Sequence, residues 1–183
     1  MRPGVRPGVR LGIDVGSVRV GVAACDPSGL IASPVETVHR ATVSARDGAD
    51  PAARTSSDRP SDLPADVVRI IELAAELGAV EVIVGLPLSL SGKRGAAADA
   101  ASDYARKLAQ ALQPVPVRLV DERLSTVSAH GNLATAGLRS RARRDVVDQQ
   151  AAVIILQSAL DTERTSGRIP GELVIVTEGG RES

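Results

Sequence analysis

Short apolar stretches separated by tight turns open the chain. The stretches Val9–Val15, Val18–Cys25 and Leu30–Val38 each have the length and the β-branched content of a strand, and glycine, proline and serine residues lie between them. Because such short connections usually join neighbouring antiparallel strands, the pattern predicts a three-stranded antiparallel meander.

Beyond residue 65, segments with helical periodicity alternate with short apolar runs. Strands that alternate with helices are typical of βαβ units, which build parallel pairs of strands. We therefore predict an α/β fold: a mixed sheet, with the meander followed by βαβ units and with helices on both faces. The predicted helices are Ala65–Leu77, Gly95–Leu112, Ser125–Ala136 and a last one from Asp145 through Leu160, and the predicted strands are 80–84 and 117–120.

The remaining segments lack a clear period. Residues 39–64 are rich in Ala, Ser, Asp, Arg and Pro and predict a long mobile loop, which is unusual within a compact domain. Residues 1–9 contain a repeated Arg-Pro-Gly-Val and predict a flexible tail. We expect one domain over 10–162 and a C-terminal extension over 163–183, whose apolar stretch 172–176 either adds an edge strand or packs on the surface.

Composition excludes several classes of function. No apolar run approaches the roughly 20 residues that span a bilayer, and the single Cys25 rules out an intrachain disulfide, so we expect a cytoplasmic protein with no membrane partner. Tyr104 is the only aromatic residue, which argues against recognition of single strands by base stacking. Two histidines, no cysteine pair, no Gly-x-Ser-x-Gly and no Walker-type loop argue against zinc, serine-hydrolase and P-loop chemistry.

The acidic residues are more informative. Asp14 follows an apolar strand and precedes a glycine turn, a pattern equally consistent with a solvated hairpin and with a cation site. Asp121 and Glu122 follow the last predicted core strand, and Asp148 lies near the start of the last helix. Taken singly, each acid also has a structural interpretation, because Glu122 can pair with a neighbouring arginine and Asp148 can stabilise a helix N-terminus.

Topology changes this balance. Functional sites in such sheets form at the carboxyl ends of the parallel strands, so Asp14, Glu122 and Asp148 are expected to converge on one edge. Crowded carboxylates need cations, and their oxygen atoms suit Mg²⁺ or Mn²⁺. Two such ions can activate a water molecule and stabilise the leaving oxygen of a phosphodiester.

Four motifs then resemble the YqgF family, also called RuvX, of bacterial RNase-H-like proteins. The similarity extends over about residues 10–162, and the Asp121–Thr126 and Val147–Gln157 motifs are its most specific part. The motifs are Gly12–Gly16 (GIDVG), Val84–Leu88 (VGLPL), Asp121–Thr126 (DERLST) and Val147–Gln157 (VDQQAAVIILQ).

This resemblance implies an RNase H-like fold and a metal-dependent nuclease. Members are described as nucleases that mature the 5′ end of pre-16S rRNA, and some as Holliday junction resolvases that act as dimers. Carried over by position, Asp14, Glu122 and Asp148 are the catalytic metal ligands, whereas Asp145 matches no required position and is at most an auxiliary ligand. Residues 39–64 form a longer loop than the family usually shows, and the arginine-rich stretch before Asp148 is a region in which members vary.

The resulting hypothesis is two-metal phosphodiester hydrolysis, with Asp14 bridging both ions and with Glu122 and Asp148 each favouring one. The expected partner is structured RNA such as pre-rRNA, or branched DNA, bound through phosphates and shape by a monomer or a homodimer. Less favoured alternatives are an ATPase of the actin/hexokinase type and a non-catalytic RNA-binding module. The residues expected to bind nucleic acid are Arg19, Lys93, Arg94, Arg123, Arg139, Arg141, Arg143 and Arg144.

Overall fold

A computed structural model describes residues 5–41, 63–125 and 141–176, of which the side chains at 124–125 and 141–144 are left out of the description. Within these ranges the strands are β1 (Arg10–Val15), β2 (Arg19–Cys25), β3 (Ala32–His39), β4 (Glu81–Leu86), β5 (Val117–Asp121) and β6 (Glu172–Leu173). The helices are α1 (Ala65–Glu76), α2 (Ala96–Ala111) and α3 (Arg141–Ser166), and a 3-10 turn spans Glu122–Ser125.

The described strands form one mixed sheet in the order β3-β2-β1-β4-β5-β6. β1, β2 and β3 pair antiparallel, and β4 pairs parallel with both β1 and β5. This arrangement confirms the predicted meander followed by βαβ units. The C-terminal stretch pairs antiparallel with β5 through β6, so the structure shows the edge strand rather than the surface packing that the sequence left open.

The two faces of the sheet carry different helices, which confirms the predicted layers. Leu11 and Ile13 of β1 are buried in a core with α1 and α2, while the alternate positions of the strand face α3. Apolar residues of α3 build the second core with residues of β2, β3, β4 and β5: Ala23, Cys25, Ala32, Ile83, Val120, Ala152, Ile155, Leu156, Ala159 and Leu160. In the described part of the chain, no helix is long and apolar enough to cross a membrane.

Glycines let α3 lie close to the sheet. A Cβ atom on Gly12 would stand 2.6 Å from Cβ of Leu156, and one on Gly21 would overlap the backbone carbonyl oxygen of Asp148. Cβ atoms do not approach other atoms this closely, so any larger residue at Gly12 or Gly21 would push the helix outwards. Gly12 and Gly21 therefore set the height of α3 above β1 and β2.

The C-terminal end of α3 is held by an ionic cluster in which Arg10, Glu81 and Glu163 are buried and Arg6 and Arg118 are partly exposed. Nε of Arg10 and Nε of Arg118 donate to the two oxygens of Glu81, over 3.0 Å and 2.9 Å. Nε of Arg6 donates to Oε1 of Glu163 over 2.8 Å. Although burial opposes ionisation, the hydrogen bonds from Arg6 lower the pKa of Glu163 below its ordinary value. The cluster thus joins the N-terminal segment, β1, β4, β5 and α3 through charged hydrogen bonds.

Several boundaries differ from the sequence-based prediction. α3 begins at Arg141 instead of near residue 145. Arginine favours helix, so the first turn forms although it lacks the apolar periodicity on which the prediction depended. Residues 5–9, expected in a flexible tail, make contacts such as those of Arg6 and a hydrogen bond from Gly8 N to Pro27 O. Most of the loop expected at 39–64 and of the helix expected from residue 125 lies outside the described residues.

Replacing Gly21 by Ala is expected to destabilise the fold by about 1–3 kcal/mol, because the added methyl group collides with the backbone of α3. Urea unfolding followed by circular dichroism measures this change. Gly95→Ala is the matched control, since a Cβ at Gly95 meets nothing within 4 Å, and only the small cost of a changed helix cap is expected there. Equal stability of Gly21→Ala and the wild type would show that α3 does not depend on this contact.

Candidate active site

Asp14 lies on the α3 face of β1, beside the point where the helix approaches the sheet most closely. Its partner in the register of the β1–β2 pair is Gly21, the residue under the carbonyl of Asp148. The pairing and the close packing together bring Asp14 next to the start of α3. Burial, together with the negative charge of Asp148, raises the pKa of Asp14 from 3.8 to about 6.

Glu122 reaches the same edge from the other side. It follows β5 directly, and Oε1 of its carboxylate lies 2.5 Å from the position that a Cβ on Gly85 of β4 would take. The missing side chain of Gly85 therefore leaves the space that Glu122 fills. Burial raises the pKa of Glu122 to about 7, with further contributions from the charges of Asp14 and Asp121.

Asp148 is paired with an arginine. Nε of Arg19, the first residue of β2, donates to Oδ2 of Asp148 over 2.7 Å and lies 3.6 Å from Oδ1 of Asp145. Only 17% of the Arg19 side chain is exposed. The hydrogen bond to Asp148 raises the pKa of Arg19 above its ordinary value. Arg19, which we expected to bind nucleic acid, therefore contacts the acidic residues themselves in this structure.

The charge of Asp14 interacts with those of both Glu122 and Asp148, so the three acids belong to the same edge of the sheet. Within the described ranges, no three Asp, Glu, His or Cys side chains converge closely enough to surround one ion. Pairs of carboxylates suit Mg²⁺, which keeps several of its waters and usually takes only one or two protein carboxylates. The donor set is oxygen only, and burial together with the neighbouring negative charges raises the pKa values of Asp14 and Glu122, so a cation beside them would be favourable and the residues fit Mg²⁺ or Mn²⁺.

The other predicted nucleic-acid-binding residues are partly visible. Lys93 and Arg94 are exposed on the loop after β4, which a bridge between Leu88 and Arg94 closes. Arg123 packs beside this loop, because a Cβ on Gly92 would lie 3.2 Å from its Nη1. Loop and arginine thus lie side by side near Glu122.

The positive charge of Arg123 is balanced by the neighbouring carboxylate of Asp121. Its Nη2 donates to Oδ2 of Asp121 over 2.6 Å, and this hydrogen bond lowers the pKa of Asp121. This pair was not predicted from the sequence, although Asp121 and Arg123 lie only two positions apart in the DERLST motif. Arg139 lies outside the described residues, and Arg141, Arg143 and Arg144 belong to the first turn of α3 without described side chains.

The single aromatic residue is part of the framework. Tyr104 is 2% exposed, and its hydroxyl donates to Oδ2 of Asp66 over 3.0 Å. The guanidinium of Arg40 lies 5.3 Å from the centre of the Tyr104 ring, and Nη1 of Arg40 donates to the carbonyl of Gly16 in the β1–β2 turn. No sequence pattern predicted this network, which braces the turn that follows Asp14 and leaves no exposed ring for stacking on bases.

The sheet order, the helical layers and the acidic edge define an RNase H-like protein. The chain belongs to the RuvX family, since the family model described as "RuvX: Holliday junction resolvase" matches residues 8–162. This result confirms the resemblance to the YqgF/RuvX family that the four motifs indicated.

Relatives and a solved structure agree with this assignment. A Kineococcus radiotolerans protein is 52% identical over 183 residues, with 100% of this chain and 85% of the relative covered. A Clavibacter michiganensis protein is 52% identical over 162 residues, with 88% of each covered. A Streptomyces coelicolor protein is 48% identical over 174 residues, with 95% and 92% covered. All three carry the name of a candidate pre-16S rRNA nuclease. RuvC of Thermus thermophilus is 16% identical with a TM-score of 0.50, over 88% of this chain and 99% of RuvC, and supports the fold.

The raised pKa values predict how stability changes with pH in the absence of divalent ions. Asp14 and Glu122 hold protons up to about pH 6 and about pH 7 when folded, against 3.8 and 4.5 as their ordinary values. The folded state therefore binds more protons in this window, and the free energy of unfolding falls as the pH rises through it.

Glu122→Gln removes most of this loss. At pH 8 in EDTA the variant is expected to be more stable than the wild type by about 1–2 kcal/mol, a figure reduced because water still reaches the side chain. Near pH 4 the gain should vanish. Urea unfolding at both pH values measures it, with the exposed Asp103→Asn as a charge-matched control. If the Glu122→Gln variant is no more stable than the wild type at pH 8, the ionised Glu122 carboxylate does not destabilise the folded state.

Proposed function

We propose that this protein is a metal-dependent nuclease that hydrolyses phosphodiester bonds during maturation of the 5′ end of pre-16S rRNA. The observation that carries the proposal is the group of acids at one edge of an RNase H-like sheet, where the charge of Asp14 interacts with those of Glu122 and Asp148. The names of relatives that share about half of their residues with this chain over nearly its full length support the choice of substrate.

In this proposal, Asp14 and Glu122 hold one divalent cation, and Asp14 and Asp148 hold a second. Bound Mg²⁺ or Mn²⁺ supplies an activated water and stabilises charge on the leaving oxygen. The role of the protein is to keep the three carboxylates fixed and close together, which the glycines under α3 and beside Glu122 achieve. Because burial and repulsion favour protonation of Asp14 and Glu122, we expect cation binding to weaken as the pH falls below about 7.

Substrate binding in the proposal depends on phosphate contacts. Lys93 and Arg94 are exposed on the loop beside Glu122, and the arginines at the start of α3 lie on the element that carries Asp148. Such contacts position a backbone without reading its sequence, and the buried Tyr104 offers no platform for a base. Shape would therefore select the substrate. Because pre-16S rRNA is processed in the bacterial cytoplasm, the proposed compartment of this protein is the cytoplasm.

Cleavage of four-way DNA junctions is the second candidate, because the matching family model is described as a Holliday junction resolvase. A symmetric junction has two equivalent strands to cut, so this activity would call for a homodimer. Membership of the RuvX family leaves the actin-type ATPase without support.

The test compares cleavage of a pre-16S rRNA 5′ leader and of a four-way DNA junction, each with Mg²⁺, with Mn²⁺ and with EDTA. The wild type should cut the RNA only when a divalent ion is present. Asp14→Asn should lower the rate by about 1,000-fold or more, because it removes the carboxylate that both ions share.

Asp103→Asn serves as the matched control, since it neutralises an exposed acid on α2, and it should cut normally. Preferential cutting of the junction would favour the second candidate. Cleavage by Asp14→Asn at the wild-type rate would refute a site built on Asp14.

A further inference from the structure

Arg19 lies beside two acids of α3 and donates a hydrogen bond from its Nε to one of them. Its Nε carries a single hydrogen, which it donates to Oδ2 of Asp148 over 2.7 Å, while Oδ1 of Asp145 lies 3.6 Å from the same nitrogen. Asp145 precedes Asp148 by three residues, so the two carboxylates lie on the same face of the helix. The guanidinium of Arg19 therefore has two neighbouring acceptors and occupies one.

The second acceptor is left without a hydrogen bond. Oδ1 of Asp145 is a buried oxygen, and within the described part of the chain no donor reaches it. A buried carboxylate oxygen without a donor is costly, so a shift of Arg19 towards Asp145 would be compensated by a new charged hydrogen bond. A pocket of about 230 Å³ lies beside Arg19 and Asp148 and is lined also by Gly16, Ser17 and Val18, so the guanidinium is not closely packed on every side.

Arg19 and a divalent cation compete for Asp148. The guanidinium occupies Oδ2 and cancels the charge that would attract the cation, and a cation on Asp148 would in turn repel the guanidinium. Two positively charged ligands that repel each other at one carboxylate are linked, and each weakens the binding of the other by the same factor. In this structure, the charge of the Asp148 carboxylate is therefore balanced by the guanidinium of Arg19.

We propose that Arg19 is a positioning residue that moves from Asp148 to Asp145 when a divalent cation binds at Asp148. Asp145 then acts as the acceptor that holds the displaced guanidinium and is not itself required as a metal ligand. This inference rests on the proposed metal-dependent function. It assigns a role to the buried oxygen of Asp145, which accepts no hydrogen bond from the residues that the structure describes and which a permanent Arg19–Asp148 pair leaves unexplained.

The test measures Mn²⁺ binding directly, by the electron paramagnetic resonance signal of free Mn²⁺ in titrations of the full chain without nucleic acid. Arg19→Gln should bind Mn²⁺ about fivefold more tightly than the wild type, because the competitor is gone. Asp145→Asn should bind it about fivefold more weakly, because Arg19 loses its second acceptor and stays on Asp148. In the Arg19→Gln background, Asp145→Asn should change the affinity by less than about twofold.

Two controls separate this exchange from simpler effects. Arg106→Gln removes an exposed arginine on α2 that pairs with Asp103, and its binding of Mn²⁺ should match that of the wild type, which excludes an effect of net charge. Circular dichroism in EDTA shows whether each variant is folded. A general loss of order around Asp148 would make Arg19→Gln bind Mn²⁺ more weakly, which is the opposite sign.

The proposal is overturned if Arg19→Gln binds Mn²⁺ no more tightly than the wild type, or if Asp145→Asn weakens binding equally with and without Arg19. The second result would make Asp145 an ordinary ligand or a remote charge. Failure of the proposed function looks different. In that case the wild type and Asp14→Asn would bind Mn²⁺ equally weakly, and the exchange would fall with the metal site itself.

Discussion

The close approach of α3 to the sheet is the constraint on which the rest of the site depends. Gly12 and Gly21 lack the atoms that would keep the helix away, and the carbonyl of Asp148 rests above Gly21. Because Gly21 is also the register partner of Asp14, the contact that packs the helix brings two acids together. Packing and chemistry are therefore not separable here, and a larger residue at either glycine would disturb both.

Charge is distributed unequally along α3. Around Glu163, at the C-terminal end, carboxylates and guanidinium groups satisfy each other in a buried network that fixes the helix to β1, β4 and β5. Near Asp148, towards the N-terminal end, burial raises the pKa values of Asp14 and Glu122, and the negative charges of neighbouring carboxylates raise them further. One end stabilises the fold at the ordinary cost of burying ions. At the other end, burial of Asp14 and Glu122 beside further carboxylates opposes their ionisation.

Much of the architecture was predictable because periodicity reports burial directly. The strands of the meander, α1, α2 and the mixed sheet follow from apolar spacing, and the meeting of Asp14, Glu122 and Asp148 at one edge was expected from topology alone. The start of α3 was missed because Arg141–Arg144 carry no apolar signal. The pairing of Arg19 with Asp148 could not be foreseen, since the two residues are 129 positions apart and the chain offers many arginines as partners.

Tyr104 has a consequence of a different kind. As the only tyrosine in a chain without tryptophan or phenylalanine, it is the one source of ultraviolet fluorescence in the protein. Its hydroxyl is bound to Asp66 and its ring lies against Arg40, which in turn holds the carbonyl of Gly16 in the turn after Asp14. The emission of the whole protein therefore comes from a single ring that is connected through Arg40 to the turn after Asp14, so that native, unlabelled protein carries its own optical reporter of that turn.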